Sequence, residues 1–393
     1  MKRTYCLNDI PEFISLASEL GLSMNKYMPD SVSKFLDACN DKNPLSNPLY
    51  KHMKLNRLTE AENTLSPPTT LTKELLEEPS EYIEIEDGFI HDARQFSFVH
   101  NIRLLDVANK KVFKKYQEYF QPTGSVSDLC FLNCTAPVGI KTLANKKEQL
   151  NLHFGFTKEK TRNNFTDISS NVVIIDIGKR NNVTINEEFY PNSGVKVYKI
   201  LYLIREGSTV TINRSVYGGT QSIDCQFIQF PNSDVFLETW GARESSDYTQ
   251  EFNNFDVWDN CRTIVNGKYV LDKDYANNII CKVHHKGPNS LSKVDVKTTL
   301  EDNSHLSFLG EIIVDKSAVN TDASLTNKNL QLSKTATVVT EPKLDIHTKE
   351  IACSHGCTVS NVDKNQLYAL QSRGMSLPHA RRVLKECFLD LIL

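Results

Sequence analysis

Cys353-Ser354-His355-Gly356-Cys357 places two thiols and an imidazole within five residues. Thiolate and neutral imidazole bind iron and other transition metals, and both carry redox or proton-transfer chemistry near neutral pH. No other segment of the chain concentrates so many such groups. On an extended strand side chains alternate between faces, so 353, 355 and 357 point the same way. Ile351 and Val359 share that parity. A second reading therefore stands beside the first: an apolar core face on which Cys353 and Cys357 are small buried hydrophobes. Residues two apart on a strand are roughly 6.6 Å apart at Cα. Three ligands on one straight strand do not converge on one ion with short metal bonds, which argues against a closed mononuclear site.

Other chemistry is sparse. The sequence holds no G-x-x-x-x-G-K-[ST] phosphate loop, no G-x-G-x-x-G, no H-E-x-x-H, no G-x-S-x-G and no paired C-x-x-C knuckles. His284-His285 is a second histidine cluster, but adjacent strand residues face opposite ways and cannot chelate together, so a structural or surface role is expected. Lys110-Lys111 and Lys114-Lys115 read as a solvated helical face. Asp176, Asp224, Asp234 and Glu238 are acidic candidates for carbohydrate chemistry, with no recognised spacing among them.

The chain has 393 residues, 40% of them hydrophobic, and a net charge of −3. That length suits two or more units or one elongated solenoid. The charge gives no general attraction to nucleic acid or to an anionic membrane surface. No apolar run approaches the roughly 20 residues of a membrane span, and no signal-peptide core follows Met1-Lys2-Arg3. Ten scattered cysteines lack a disulfide-domain rhythm and read as reduced and intracellular.

The elements that position the Cys-His-Cys segment follow from periodicity. Asp9 and Glu12 form a capping-box pattern, Phe13, Leu16, Ala17 and Leu20 share a helical face, and Gly21 can end that helix. Val32, Phe35, Leu36 and Cys39 repeat the spacing, and Leu104 to Phe120 reads as helix again, stopped by Pro122. From about 125 the pattern becomes short β-rich runs separated by Asn, Asp, Gly or Ser, among them Val172 to Ile177, Val195 to Ile204, Ile223 to Phe230, Leu306 to Val314 and Ile351 to Cys353. A sandwich, a barrel and a solenoid all fit such spacing. About 235 residues of short strands exceed a sandwich of about 100, whereas stacked coils extend without limit. After Asn361 the helical pattern returns. Asp363 starts one helix, Gly374 suits its left-handed C′ position, and Pro378 lies in the first turn of the next. In that last helix Leu377, Ala380, Leu384, Cys387, Phe388 and Leu391 form an apolar stripe, expected in part to cap the solenoid end.

The C-terminal segment resembles the SufB/SufD family of iron–sulfur cluster assembly proteins. The resemblance rests on Glu341-Pro342-Lys343-Leu344-Asp345-Ile346, Cys353-Ser354-His355-Gly356, Thr358-Val359, Asp363, Gln366-Leu367-Tyr368, Ser372-Arg373-Gly374, Ala380 and Phe388. Order and spacing are closest to the SufD type, over roughly 305 to 393. Lys328 stands where SufB-like proteins carry a functional cysteine, and an ammonium cannot replace a thiolate as iron or sulfur carrier. The resemblance implies a mainly β fold: a right-handed parallel β-helix over 125–360, between a helical N-terminal domain, 1–124, and a C-terminal helical region, 361–393. It implies a non-enzymatic subunit that pairs with a SufB-like subunit and docks a SufC-like ATPase, in the cytoplasm or an organelle stroma, without nucleic acid or membrane. A homodimer in the absence of those partners is compatible with it. His355 and Cys353, with Cys357 beside them, are the residues it implies for cluster or iron assembly at the partner interface. His355 would be the metal ligand, toward an iron–sulfur cluster or iron held transiently with the partner and not tightly by this chain alone. Arg373, Arg381, Arg382 and Phe388 are the candidates for the ATPase surface. The competing readings are a β-helix enzyme acting on polysaccharide and a purely structural solenoid.

Overall fold

The structure, a computed structural model, describes residues 137–391 apart from 155–165, 191–194 and 244–247, together with short stretches between 63 and 130. The helices expected at 9–21 and 32–39 lie outside the described residues.

The described strands form two ten-stranded sheets that face each other across one core. The first sheet contains β1 (Asn63–Leu65), β4 (Ile102–Leu105), β5 (Val138–Thr142), β7 (Thr166–Ile177), β9 (Val195–Ile204), β11 (Thr220–Gln229), β13 (Tyr248–Val257), β15 (Ala276–His285), β17 (His305–Val314) and β19 (Thr337–Ile346). The second contains β2 (Ile83–Glu86), β3 (Phe89–Ile90), β6 (Lys147–Phe154), β8 (Asn182–Phe189), β10 (Thr209–Tyr217), β12 (Asp234–Arg243), β14 (Arg262–Leu271), β16 (Leu291–Leu300), β18 (Thr321–Gln331) and β20 (Ile351–Asn361). From β5 onward the chain alternates between sheets, and each strand pairs in parallel with the strand one coil later. Thr209 pairs with Asp234 and Lys147 with Asn182, so one coil uses 25 to 35 residues. This is a parallel β-solenoid.

Asparagine holds one corner of the stack. Asn232, Asn260, Asn289 and Asn320 all have φ between 56° and 63°. That left-handed region admits Asn more readily than most residues. Each later side-chain amide donates to the Oδ1 of the asparagine one coil before, at 3.1–3.2 Å. The amide ladder continues outside the sheets what the backbone does within them.

The inward face is mostly apolar from Val183 to Leu325, with buried polar side chains among its residues. Arg214 donates to Glu187 at 2.9 Å, to Asn253 at 2.8 Å and to the Cys225 sulfur at 3.2 Å, and the Tyr202 hydroxyl also donates to Glu187. Glu187 and Arg214 are both wholly removed from solvent at their side chains.

The first sheet is also covered on its outer face, where β9 is buried along its whole length. Helix α1 (Lys110–Gln117) belongs to that covering layer. Phe113, Tyr116 and the following Phe120 are buried, and the Tyr116 hydroxyl donates to Asp176 at 3.0 Å. Lys111, Lys114 and Lys115 face outward, as the spacing implies. The helical reading of 104–120 is too long: 102–105 is a strand, paired antiparallel with β5, and the helix starts at Lys110.

Helices α2 (Lys364–Ser372) and α3 (Leu377–Phe388) follow the last strand. Asp363 caps α2 by accepting from the Asn365 amide, and Gly374 ends it at φ 90°. Pro378 lies in the first turn of α3.

Candidate functional site

β20 is the last strand of its sheet, and β19 the last of the other. Both belong to the final coil. Cys353, His355 and Cys357 pair with Ala323, Leu325 and Asn327 of β18, all three buried, whereas Ser354, Gly356 and Thr358 pair with its partly exposed outward residues. The three chemical side chains therefore lie on the core-facing side of their strand. Both readings of the parity meet here. It is the core face, but no coil of the described chain lies above it.

Burial follows from that position. Ile351 and Cys353 pack against the core, Cys353 and Cys357 are half-buried, and His355 is exposed. Beneath His355 the interior is filled. Leu325 reaches over Gly310, where a Cβ would come within 2.4 Å of a Leu325 methyl carbon. The imidazole consequently sits above a hydrophobic plug and faces out. Facing it on β19 are Val338, Thr340, Pro342, Leu344 and Ile346. The Thr340 hydroxyl donates to the Cys357 sulfur at 3.2 Å, so that thiol is engaged across the coil. Burial, with the nearby Asp322 carboxylate, pushes the Cys353 thiol above its ordinary value. Cys353 is accordingly a protonated thiol at neutral pH unless a metal or a cationic partner group displaces the proton.

Among the described residues no three Cys, His, Asp or Glu side chains converge to hold a metal ion. His355 alone offers one borderline nitrogen ligand. Any iron held here needs ligands from elsewhere.

The final coil also exposes two strand edges. Among the described strands, β19 pairs only with β17, and β20 only with β18. Each presents a row of backbone donors and acceptors ten or eleven residues long. Ile346 and Val359 are large apolar side chains on this end, 37% and 47% exposed.

The C-terminal helices do not cap it. The bonds that fix α3 run to Lys268 of β14, Lys297 of β16 and Glu301 just after β16, on the flank of the solenoid one and more coils back. The expectation that the stripe covers the solenoid end is therefore corrected. Of the stripe only Ala380 is buried, with the C-cap Leu389 beside it; Leu384 and Phe388 are half-buried, and Leu377, Cys387 and Leu391 are exposed. α2 buries no residue, and Tyr368 is 74% exposed on it. Arg373 ends α2 and is exposed, Arg382 is exposed beside Glu386 at 3.8 Å, and Arg381 is half-buried.

The remaining candidates are structural. His285 faces inward and bonds the Ser292 hydroxyl at 2.9 Å, while His284 faces outward to Asp315 at 3.0 Å. Asp176 and Asp224 lie on the first sheet and Asp234 and Glu238 on the second. All four are engaged, with Arg205, Lys199, Arg262 and Asn266 respectively. Lys328 lies on the outward face of β18, in register with Lys297 and Thr358.

The family model described as the SUF system FeS cluster assembly SufBD core domain matches residues 240–388, from within β12 to the last residue of α3. The SufD iron–sulfur cluster assembly protein of Escherichia coli (strain K12) is 38% identical over 92 residues, which are 23% of this chain and 22% of that protein. A SufBD family iron–sulfur cluster assembly protein of Synechocystis is 33% identical over 132 residues, 33% of this chain and 28% of its own length. The chloroplastic protein ABCI7 of Arabidopsis thaliana is 37% identical over 81 residues, 21% of this chain and 17% of its length. Over residues 240–388 the chain is similar to the SufB/SufD family. Within that family its resemblance is to the SufD type, and its matched segments span less than a third of each of these relatives. The SufBD core match contains the whole open end, with Cys353, His355 and Cys357, and both C-terminal helices. No helix among the described residues is long and apolar enough to cross a membrane.

What sequence reasoning missed at the site is the β19 side. Glu341 to Ile346 is visible as a family motif, but its alternation also puts Thr340, Pro342, Leu344 and Ile346 on one face. That places them opposite His355 once the strand is known to be terminal.

Proposed function

We propose that this chain is a non-catalytic scaffold subunit in iron–sulfur cluster assembly. It pairs through its open end with a SufB-like subunit and presents its C-terminal helices to a SufC-like ATPase. The single observation that carries this reading is the final coil, whose core face and two strand edges lie uncovered around His355. Strand edges of this kind accept a partner by β-augmentation, in which backbone bonds give affinity and the facing side chains give register. The cluster or its iron is cargo. His355 contributes one nitrogen at the seam, the SufB-like subunit contributes thiolate, and Cys353 stands beside them as a thiol that metal binding would deprotonate. Cys357, engaged by Thr340, has the lesser part. The relatives' printed names, and the SufBD core match over this region, support the assembly role. The protein works in the cytoplasm or in an organelle stroma, a setting supported by the chloroplastic relative.

The test is anaerobic affinity purification from the native cell, with mass spectrometry of the captured proteins and iron analysis of the complex. The expected result is co-purification of a SufB-like protein and an ATPase. His355→Ala should leave the complex intact and lower its iron several-fold, and Cys357→Ala should change it much less. An intact His355→Ala complex with normal iron would reduce this subunit to a structural arm.

A further inference from the structure

Lys268, Lys297 and Lys328 stand in one register row on the outer face of the second sheet. Neighbouring strands are about 4.8 Å apart, so three ammonium groups lie side by side, an arrangement that by itself destabilises a sheet. Asp390 lies over this row. Its carboxylate pairs with Lys297, and its backbone carbonyl accepts from Lys268 Nζ at 3.4 Å.

Asp390 occupies a costly place. The Leu391 amide donates to the Glu386 carbonyl at 2.9 Å, and the Asp390 amide to Cys387 at 3.2 Å. These are the two bonds of a Schellman motif with Asp390 at C′. Its φ is 52°. The same motif closes α2: Met375 donates to Leu370 and Gly374 to Gln371, with Gly374 at C′ and φ 90°. One hairpin thus ends its two helices the same way, once with the residue suited to that backbone and once with a carboxylate. Asp is disfavoured there twice, by the left-handed φ and by a negative charge at the negative end of the helix dipole. The lysine row offsets both, and Lys297 holds the Asp390 carboxyl below its ordinary range.

The apolar anchorage of the hairpin is thin. α2 buries nothing, and α3 with its cap buries Ala380 and Leu389. The other tether, Lys385 to Glu301 at 2.5 Å, is also ionic. We propose that Asp390 is an electrostatic latch that clips the C-terminal helical hairpin to the flank of the solenoid across the lysine row, and so positions the helices offered to the ATPase. The latch itself follows from this geometry. Only its consequence for docking rests on the function proposed above.

The experiment is hydrogen–deuterium exchange on the full chain at low and high salt, for the native protein, Asp390→Asn and Asp390→Gly. Asn and Gly suit the C′ backbone better than Asp does. If Asp390 were only a helix cap, both variants would exchange more slowly than the native protein over 377–391, and that result overturns the proposal. A latch predicts the opposite sign: exchange over 377–391 rises about three- to tenfold in both variants, as expected for loss of a charge-assisted pair. Native exchange there rises with salt, and in the variants that rise is smaller, reduced to what the Lys385–Glu301 pair supplies. The double variant Lys297→Glu/Asp390→Lys should restore protection in part. Solenoid amides are unchanged throughout and report that the fold is intact. Capture of the ATPase is measured separately. Loosened helices that still capture it leave the latch standing and separate it from docking, whereas native helices that fail to capture it count against the docking reading alone.

Discussion

At His355 the character of the side chain comes from what lies under it. Leu325, seated over Gly310, fills the interior below the imidazole, so a residue of core parity is left exposed. Elsewhere the fold keeps buried polar groups dry, on either side of a sheet. Burial lowers both His153 and His285 to about 4. Their folded values lie below the ordinary value of about 6.5, so each is neutral in the fold and takes up a proton on unfolding. Stability from these residues is therefore present in full above about pH 6.5 and is lost as pH falls toward 4, by up to about 1.4 kcal/mol per pH unit per histidine. Urea midpoints between pH 7.5 and pH 5 measure it, and His285→Gln should flatten the slope. The Glu187–Arg214 pair gives a second residue-scale outcome. Arg214→Met strands a buried carboxylate and should cost about 3–5 kcal/mol, while Glu187→Leu/Arg214→Met should recover most of that loss. A double variant as unstable as the single one would mean that packing, not charge, is what Arg214 supplies.

Elements were legible in proportion to how apolar their inward faces are. Val195 to Ile204 reads as a strand from sequence and is one, residue for residue, because it is buried on both faces. β13, β14, β16 and β18 carry a weaker signal because their inward positions include Glu251, Asn253, Gly267, Thr298, Asn327 and Asn329, which break the alternation that marks a half-buried strand. The helix signals fared better where they are local. Asp363, Gly374 and Pro378 each act where their chemistry places them, since capping depends on a few neighbouring atoms. The direction of α3 was not legible, because it is set by Lys297 and Glu301, far away in the chain. Its exposed face carries the element-scale prediction. Deleting 376–393 should abolish capture of a SufC-like ATPase while circular dichroism keeps its β-signal, because the deleted segment contributes two residues to the buried set and none to either sheet. Undiminished capture by the truncated chain would remove these helices as the docking surface.

The whole molecule is a stack finished at one end by nothing in the described chain. Every earlier coil is covered by the next, which supplies both its backbone partners and the apolar surface above its core. The last coil keeps ten- and eleven-residue edges and a plate of Val338, Leu344, Ile346, Ile351 and Val359 around two thiols and an imidazole. A solenoid ordinarily protects such an end with a polar cap, because open edges recruit other strands. The hairpin that could do so lies on the flank instead, which leaves the end open. Without a partner the best available match is a second copy of the same chain, paired end to end about a twofold axis with the same patch on both sides. We expect sedimentation velocity of the isolated chain at micromolar concentration to show a monomer–dimer equilibrium, and Ile346→Lys/Val359→Lys to hold it monomeric with an unchanged circular dichroism spectrum. Those two substitutions should also abolish capture of the SufB-like subunit while leaving capture of the ATPase intact, because the helices lie on the flank. A double variant that still dimerises and still binds the SufB-like subunit would place both contacts elsewhere and leave His355 without a shared seam in which to work.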